Sequence, residues 1–242
     1  MSWYHQFKGK GKGKKVKSDS THRSGAYVII NSREGDDSKR QWSTLSHVRC
    51  ISIDPAQKNF AIRVEDRPTP LGSGIRPILF HKQCFMDDDS SNRWSLFSSI
   101  TDYLDSQREV LKQAHIVLIE QQLPINYINV RISSHVISYF ISLLKDSPNI
   151  PMIVEIDAKH VKKALNFPDG VNDKIHARKT ASSLCKSRGD LQSAQIIDTD
   201  RTHRGTLKGD DLGDSILQLE VFFMHMNWPN MYDPKCKVIA SH

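Results

Sequence analysis

Two short apolar runs that each end in an acidic residue constrain the fold of this sequence most strongly. Residues 48–53 are rich in β-branched side chains and are followed by Asp54, and residues 116–119 are followed by Glu120. Continuous apolar runs of this length are typical of strands that are covered on both faces of a sheet. If the strands are neighbours, Asp54 and Glu120 meet at one sheet edge, where a cation would offset the repulsion between the carboxylates.

Each acid also has a simpler interpretation when it is taken alone. Asp54 precedes a turn at residues 55–59, after which residues 60–64 form a returning strand, and an Asp before a turn often only caps it. Glu120 alone would be a solvated side chain at the rim of the sheet. The interpretation as a site therefore depends on the two acids occurring together.

A third acidic group opens an amphipathic helix that is predicted from about residue 210. Asp211 and Asp214 are separated by three positions, so they lie on one face of this helix. Acids in a first helical turn are also favoured by the helix dipole alone. The pair is either a dipole feature or part of a site, and Asp210 is an alternative to Asp211.

The remaining periodicities predict an α/β fold, a mixed central β-sheet flanked by helices. Further strands are predicted at residues 76–82 and 152–156, with a possible edge strand at 26–30. Helices are predicted at residues 91–111, 126–145, 158–165 and 172–186, the first of them capped by the acidic residues 87–89.

Positive charge is concentrated in two segments of the 242 residues. Residues 1–44 contain ten Lys/Arg against four Asp/Glu, and residues 159–188 contain eight against two. The first segment, glycine-rich and like-charged, is predicted to be a disordered tail that precedes a folded domain at residues 45–242. It is either a phosphate-binding arm or import signal, or a passive extension. The second segment supplies the candidate nucleic-acid-binding residues, which are Lys159, Lys162, Lys163, Arg178 and Lys186.

The composition argues against several other classes of protein. No apolar run approaches the roughly 18 residues of a membrane span, and no apolar stretch follows the basic N-terminal residues as in a secretory signal. The four cysteines are scattered without zinc-ligand or disulfide spacing. We therefore expect an intracellular, reducing setting.

In four motifs the sequence resembles the poxvirus-type Holliday junction resolvases, the RuvC-like endonucleases of large DNA viruses, which have an RNase H-like fold. The motifs are the residues around Asp54, those around Glu120, the basic segment 172–179, and residues 210–215. The resemblance covers residues 48 to about 226. One departure is Ala56, where many RuvC-like proteins have glycine in the turn.

The resemblance implies a Mg²⁺-dependent endonuclease that resolves four-way DNA junctions by paired symmetric nicks, in recombination and in the processing of replication intermediates. Asp54, Glu120, Asp211 and Asp214 would hold two Mg²⁺ ions, for which Mn²⁺ can substitute. A basic residue beside the scissile phosphate would be Lys174 or Lys179. A homodimer is implied, acting on branched DNA without a membrane or small-molecule substrate. The implied location is a viral replication site in host cytoplasm or nucleus, rather than a mitochondrion.

Two alternatives belong to other functional classes. One is a non-catalytic nucleic-acid-binding module of the same fold, in which the acids are structural. The other is a different nuclease of this fold, such as a ribonuclease that cuts RNA-DNA hybrids or a transposase-like enzyme.

Overall fold

A computed structural model of the protein describes residues 27–30, 42, 44–69, 74–85, 93–147, 151–168, 170, 172–201 and 208–225. Within these ranges six strands form one sheet, in the order β1-β6-β5-β2-β3-β4. The strands are β1 (Tyr27–Ile29), β2 (His47–Asp54), β3 (Phe60–Pro68), β4 (Arg76–Gln83), β5 (Ile116–Glu120) and β6 (Met152–Ile156).

The sheet is mixed, as the sequence predicted. Strands β2, β3 and β4 form an antiparallel meander, whereas β5 and β6 run parallel to β2 because helical crossovers connect them. The hairpin β2–β3 pairs Asp54 with Ala61, on either side of the predicted turn. The carboxyl ends of β2, β5 and β6 consequently meet at one edge of the sheet.

Helices cover both faces of the sheet. The described helices are α1 (Arg93–Ser106), α2 (Arg108–Leu111), α3 (Tyr127–Leu144), α4 (Ala158–Ala164), α5 (Asp173–Ser187), α6 (Leu191–Thr199) and α7 (Asp210–His225). Helices α1, α2 and α3 pack against Ile51, Ile53 and Ile119 on one face. On the other face, α7 lies against β2 and β5 with Leu219, and α4, α5 and α6 pack beside it.

Charged residues are buried on the β3 side of α7. The Arg63 guanidinium lies 2.8 Å from both Glu65 and Asp190, and Arg67 contacts both Glu65 and Glu220. Burying such groups is tolerable only when each charge is paired and hydrogen-bonded. This pairing explains why β3 stays in the sheet beyond Val64, where its sequence becomes polar.

The predicted elements agree with the structure except at a few places. Residues 27–29 form β1 at the edge of the sheet. Trp42 is buried against the face of the sheet that α7 covers. Parts of segment 1–44 therefore belong to the folded body. The rest of that segment and the acidic cap at residues 87–89 lie outside the described residues. The predicted helix 91–111 is interrupted at Gln107, and α6 was not predicted. None of the described helices is long and apolar enough to cross a membrane.

Candidate active site

The parallel pairing of β2 and β5 places the first two acids side by side. Ile53 is in register with Ile119, so the next residues, Asp54 and Glu120, occupy equivalent positions at the ends of adjacent strands. Neighbouring strands in a sheet lie about 4.8 Å apart, and residues in register point to the same face. Both carboxylates therefore project from the edge of the sheet on the face that α7 covers.

Helix α7 brings the third acidic group to the same edge, and two glycines allow its position. Gly209 has a φ of +90°, and a side chain there would collide with the Ile197 carbonyl oxygen. Gly213 faces α5, where a Cβ would lie 3.2 Å from the Cβ of Ala181. The close packing of α7 against α5 and α6 at these glycines sets how near Asp210, Asp211 and Asp214 lie to the ends of the strands.

The charges of these carboxylates act on one another strongly. Burial raises the pKa of Asp54 well above its usual value, and the charges of Glu120, Asp211, Asp214 and Asp210 raise it further, in that order. Burial raises the pKa of Glu120 to about 7, and burial together with Glu120 raises the pKa of Asp214. Asp54 responds more to Asp211 than to Asp210, so the electrostatics favour Asp211 and Asp214 as the pair that faces Asp54.

A buried glutamine connects the strands to α7. Gln218 accepts a 2.7 Å hydrogen bond from the Ser52 hydroxyl and donates a 2.9 Å hydrogen bond to Glu120. It lies one helical turn beyond Asp214, on the same side of α7. Gln218 thus fixes the orientation of the Glu120 carboxylate.

Three lysines border the acidic cluster. Lys174, in the first turn of α5, donates a 2.8 Å hydrogen bond to Asp210, and this bond raises the pKa of the lysine. Lys208, just before α7, has its ammonium 2.8 Å from Asp211. Lys162, on α4, lines a small pocket together with Glu120 and Asp214, and its charge opposes the rise in their pKa.

The other basic candidates lie further from the acids. Lys179 is five residues beyond Lys174, so it points about 140° away around α5, on the same side as Lys186, which pairs with Asp198 at 2.7 Å. Lys159 and Lys163 are exposed on α4, and Arg178 is half-buried one turn after Lys174. Of the two lysines that the resemblance left open, the structure brings Lys174 to the acidic cluster.

The chemistry of this donor set fits a hard divalent cation. Five carboxylates supply only oxygen ligands, and burial, with a further contribution from neighbouring acids, raises the pKa of four of them, so a divalent cation would favour their ionised form. Among the residues that the structure describes, no three or more Asp, Glu, His or Cys side chains are arranged so that they could hold a metal ion as they stand. Contacts to Lys174 and Lys208 hold two of the acids instead.

Comparison with known proteins identifies the fold. No protein-family model and no curated protein sequence matches this chain. Among solved structures, the yeast mitochondrial Holliday junction resolvase Ydc2 has a TM-score of 0.53 at 15% sequence identity, over 84% of this chain and 92% of that one. The chain shares the fold of this resolvase.

Two other solved structures also match this chain, with lower TM-scores. The fowlpox virus Holliday junction resolvase has a TM-score of 0.46 at 13% identity, over 74% of this chain and 99% of the viral protein. Thermus thermophilus RuvC has a TM-score of 0.44 at 15% identity, over 75% and 98%. The fold that the four sequence motifs implied is confirmed by the match to Ydc2.

Three residues that border the site were not predicted to belong to it. Gln218 follows Asp214 by four positions, a spacing that could have indicated a shared helix face. Lys162 was expected only to hold backbone phosphates, and its place beside Glu120 depends on how α4 packs. Lys208 had no sequence signal beyond its charge.

Proposed function

We propose that the protein is a metal-dependent endonuclease that resolves four-way DNA junctions. The observation that carries this proposal is the cluster of Asp54 and Glu120 on adjacent strand ends with Asp211 and Asp214 of α7, each with a raised pKa. A group of acids that repel one another at a solvent-accessible edge is typical of a functional site. The RuvC-like fold, shared with a yeast junction resolvase, supports this choice among nucleases.

Asp54, Glu120, Asp211 and Asp214 are the residues that would hold Mg²⁺ or Mn²⁺. A divalent cation in such a site supplies an activated water and stabilises the leaving oxygen of a phosphodiester. The contribution of the chain is to bring four oxygen donors to one edge of the sheet. Gln218 orients Glu120 through its 2.9 Å hydrogen bond, and the close packing at Gly213 fixes the height of α7.

Lys174 and Lys162 supply the positive charge that a phosphate requires. Each borders the acids from a different helix, so a phosphodiester that reaches the acids passes between two ammonium groups. An open groove lined by Lys162, Lys163 and Phe167 continues from this point. We assign this groove to the incoming DNA strand, with the exposed lysines of α4 and α5 on its backbone phosphates.

We also propose that the protein acts as a homodimer that makes paired nicks during recombination or the processing of replication intermediates. A four-way junction has two-fold symmetry, and a closed two-fold dimer offers two sites in matching geometry. Exposed apolar side chains on α3 and the loop before it supply a surface for self-association; they are Leu123, Ile125, Tyr127 and Ile141. Light scattering of the purified protein tests the mass of the assembly.

Cleavage of a labelled synthetic four-way junction in Mg²⁺ tests the activity. Wild-type protein is expected to cut the junction, whereas Asp54→Asn, which keeps the shape but removes a ligand charge, is expected to bind it and leave it intact. The linear duplex of the same sequence and an RNA-DNA hybrid are the comparison substrates. Cutting of the junction by Asp54→Asn at the wild-type rate refutes the metal site. Preference for the hybrid indicates a ribonuclease, and junction binding without cleavage by wild type indicates a non-catalytic module.

A further inference from the structure

Lys208 contacts Asp211 from a more buried position than the one from which Lys174 contacts Asp210. Its ammonium lies 2.8 Å from Asp211 Oδ2, and the side chain of Lys208 is only 18% exposed, whereas that of Lys174 is 70% exposed. Lys174, by contrast, contacts Asp210. Lys208 is therefore the lysine that contacts Asp211, one of the proposed metal ligands.

The backbone holds Lys208 in place on both sides. Its N–H donates a 2.8 Å hydrogen bond to the carbonyl of Asp200, whose side chain in turn pairs with Lys82 of β4. On the other side, Gly209 packs against Ile197. These contacts fix the main chain at residue 208 and keep the base of the lysine side chain close to Asp211.

We propose that Lys208 is a positioning residue that occupies Asp211 until a divalent cation displaces its ammonium, and that it thereby lowers the affinity of the site for metal. The inference rests on the proposed function, in which Asp211 is a metal ligand. An ammonium 2.8 Å from Asp211 Oδ2 occupies space that a cation needs beside this oxygen, and its charge repels that cation. Metal binding at this site is therefore an exchange of one cation for another.

Titration of the full-length protein with Mn²⁺, followed by electron paramagnetic resonance, measures this competition. Lys208→Met removes the charge at similar side-chain length, and Lys208→Arg retains the charge. We expect the Met variant to bind Mn²⁺ roughly tenfold more tightly, as follows when one repelling charge is removed beside a divalent ion, and the Arg variant to stay near wild type. The control is Lys112→Met, which breaks the Lys112–Glu109 pair on α2, also spaced by three residues.

The same titration separates this inference from the proposed function. Loss of the Mn²⁺ site in Asp54→Asn ties the signal to the acidic cluster, and absence of any Mn²⁺ binding by wild type refutes the metal site and the exchange together. If wild type binds Mn²⁺ and Lys208→Met binds it equally or more weakly, the exchange alone is refuted. Unchanged affinity in Lys112→Met is expected, and a change as large as that of Lys208→Met means that the effect is one of net charge only, which also refutes it.

A second measurement follows the wild-type protein, and a variant is used only to assign the signal. In spectra of protein labelled with ¹⁵N-lysine, the ammonium signal of Lys208 is assigned by its loss in Lys208→Arg. Addition of Mg²⁺ is expected to move this signal towards that of solvated lysines as the contact with Asp211 breaks. A signal that stays in place while Mg²⁺ binds overturns the proposal.

Discussion

Replacement of Glu120 by Gln is expected to stabilise the metal-free protein, although it removes a proposed catalytic group. Burial and neighbouring acids raise the pKa of Glu120 to about 7, against 4.5 for an ordinary Glu. The folded protein therefore binds this proton more tightly than the unfolded chain does. The stability that this proton contributes is fully present below pH 4.5. It is lost as the pH rises through 7, because the buried carboxylate must then ionise.

The size of this effect follows from the pKa difference. A shift of about 2.5 pKa units corresponds to about 3 kcal/mol of stability lost at pH 8, and about a quarter of that at pH 5. The lost charge in the hydrogen bond from Gln218 reduces the gain, so we expect Glu120→Gln to raise the free energy of unfolding by about 1–3 kcal/mol at pH 8. For a domain of this size, that is a rise in melting temperature of about 3–9 °C.

Thermal unfolding followed by circular dichroism, in EDTA at pH 8 and pH 5, measures this difference. The matched control is Glu109→Gln on α2, where the side chain is 78% exposed. Addition of Mg²⁺ should stabilise wild type more than the variant, since the cation relieves a repulsion that the variant lacks. A melting temperature of Glu120→Gln at or below that of wild type in EDTA at pH 8 would show that the ionised, buried Glu120 carboxylate does not cost stability as described.

Four further predictions concern other parts of the molecule. Lys174→Ala should lower the single-turnover cleavage rate by about 10²-fold at saturating protein, whereas Lys179→Ala should mainly weaken DNA binding; equal effects on both would contradict the geometry of α5. Gly209→Ala should cost about 1–2 kcal/mol or more, because its φ of +90° is strained for a side chain, and urea unfolding measures this loss. Glu65→Gln should cost about 3–5 kcal/mol in the same assay, because it removes the buried negative charge that Arg63 and Arg67 share and leaves each with one acidic partner. Deletion of residues 1–26, which leaves β1 and Trp42 in place, should flatten the dependence of DNA affinity on salt, as measured by fluorescence anisotropy; an unchanged slope would make this lysine-rich segment a passive extension.

The elements that the sequence predicted well are those with a local apolar signal. Strands β2, β5 and β6 and helix α3 each bury a periodic or continuous apolar run, so their type and approximate limits follow from the pattern alone. The acids at the ends of β2 and β5 could be paired in advance because parallel neighbours end at a common edge. Asp211 and Asp214 followed from helical spacing.

The elements that were missed depend on distant partners. Helix α6 has few apolar residues and is capped by Asp190, which also pairs with Arg63, more than a hundred positions earlier. The polar end of β3 is buried with partners from other elements, because Asp66 pairs with arginines of β2 and β4 and Arg67 pairs with Glu220 of α7. The position of Lys162 beside Glu120 likewise depends on tertiary packing, which no local pattern encodes.

The orientation of α7 about its own axis decides whether its acids reach the strands, and apolar packing alone does not fix it. Leucine and phenylalanine side chains can pack against a sheet after a small rotation, at modest cost. The ion pairs of Glu220 with Arg67 and Arg188 do not tolerate such a rotation, because it would leave buried charges unpaired. Gly213 adds a second restraint, since α5 tolerates no side chain at that point without a shift. The buried ion pairs behind the site therefore fix the rotation of α7 about its axis, and with it the direction of the acids that α7 carries.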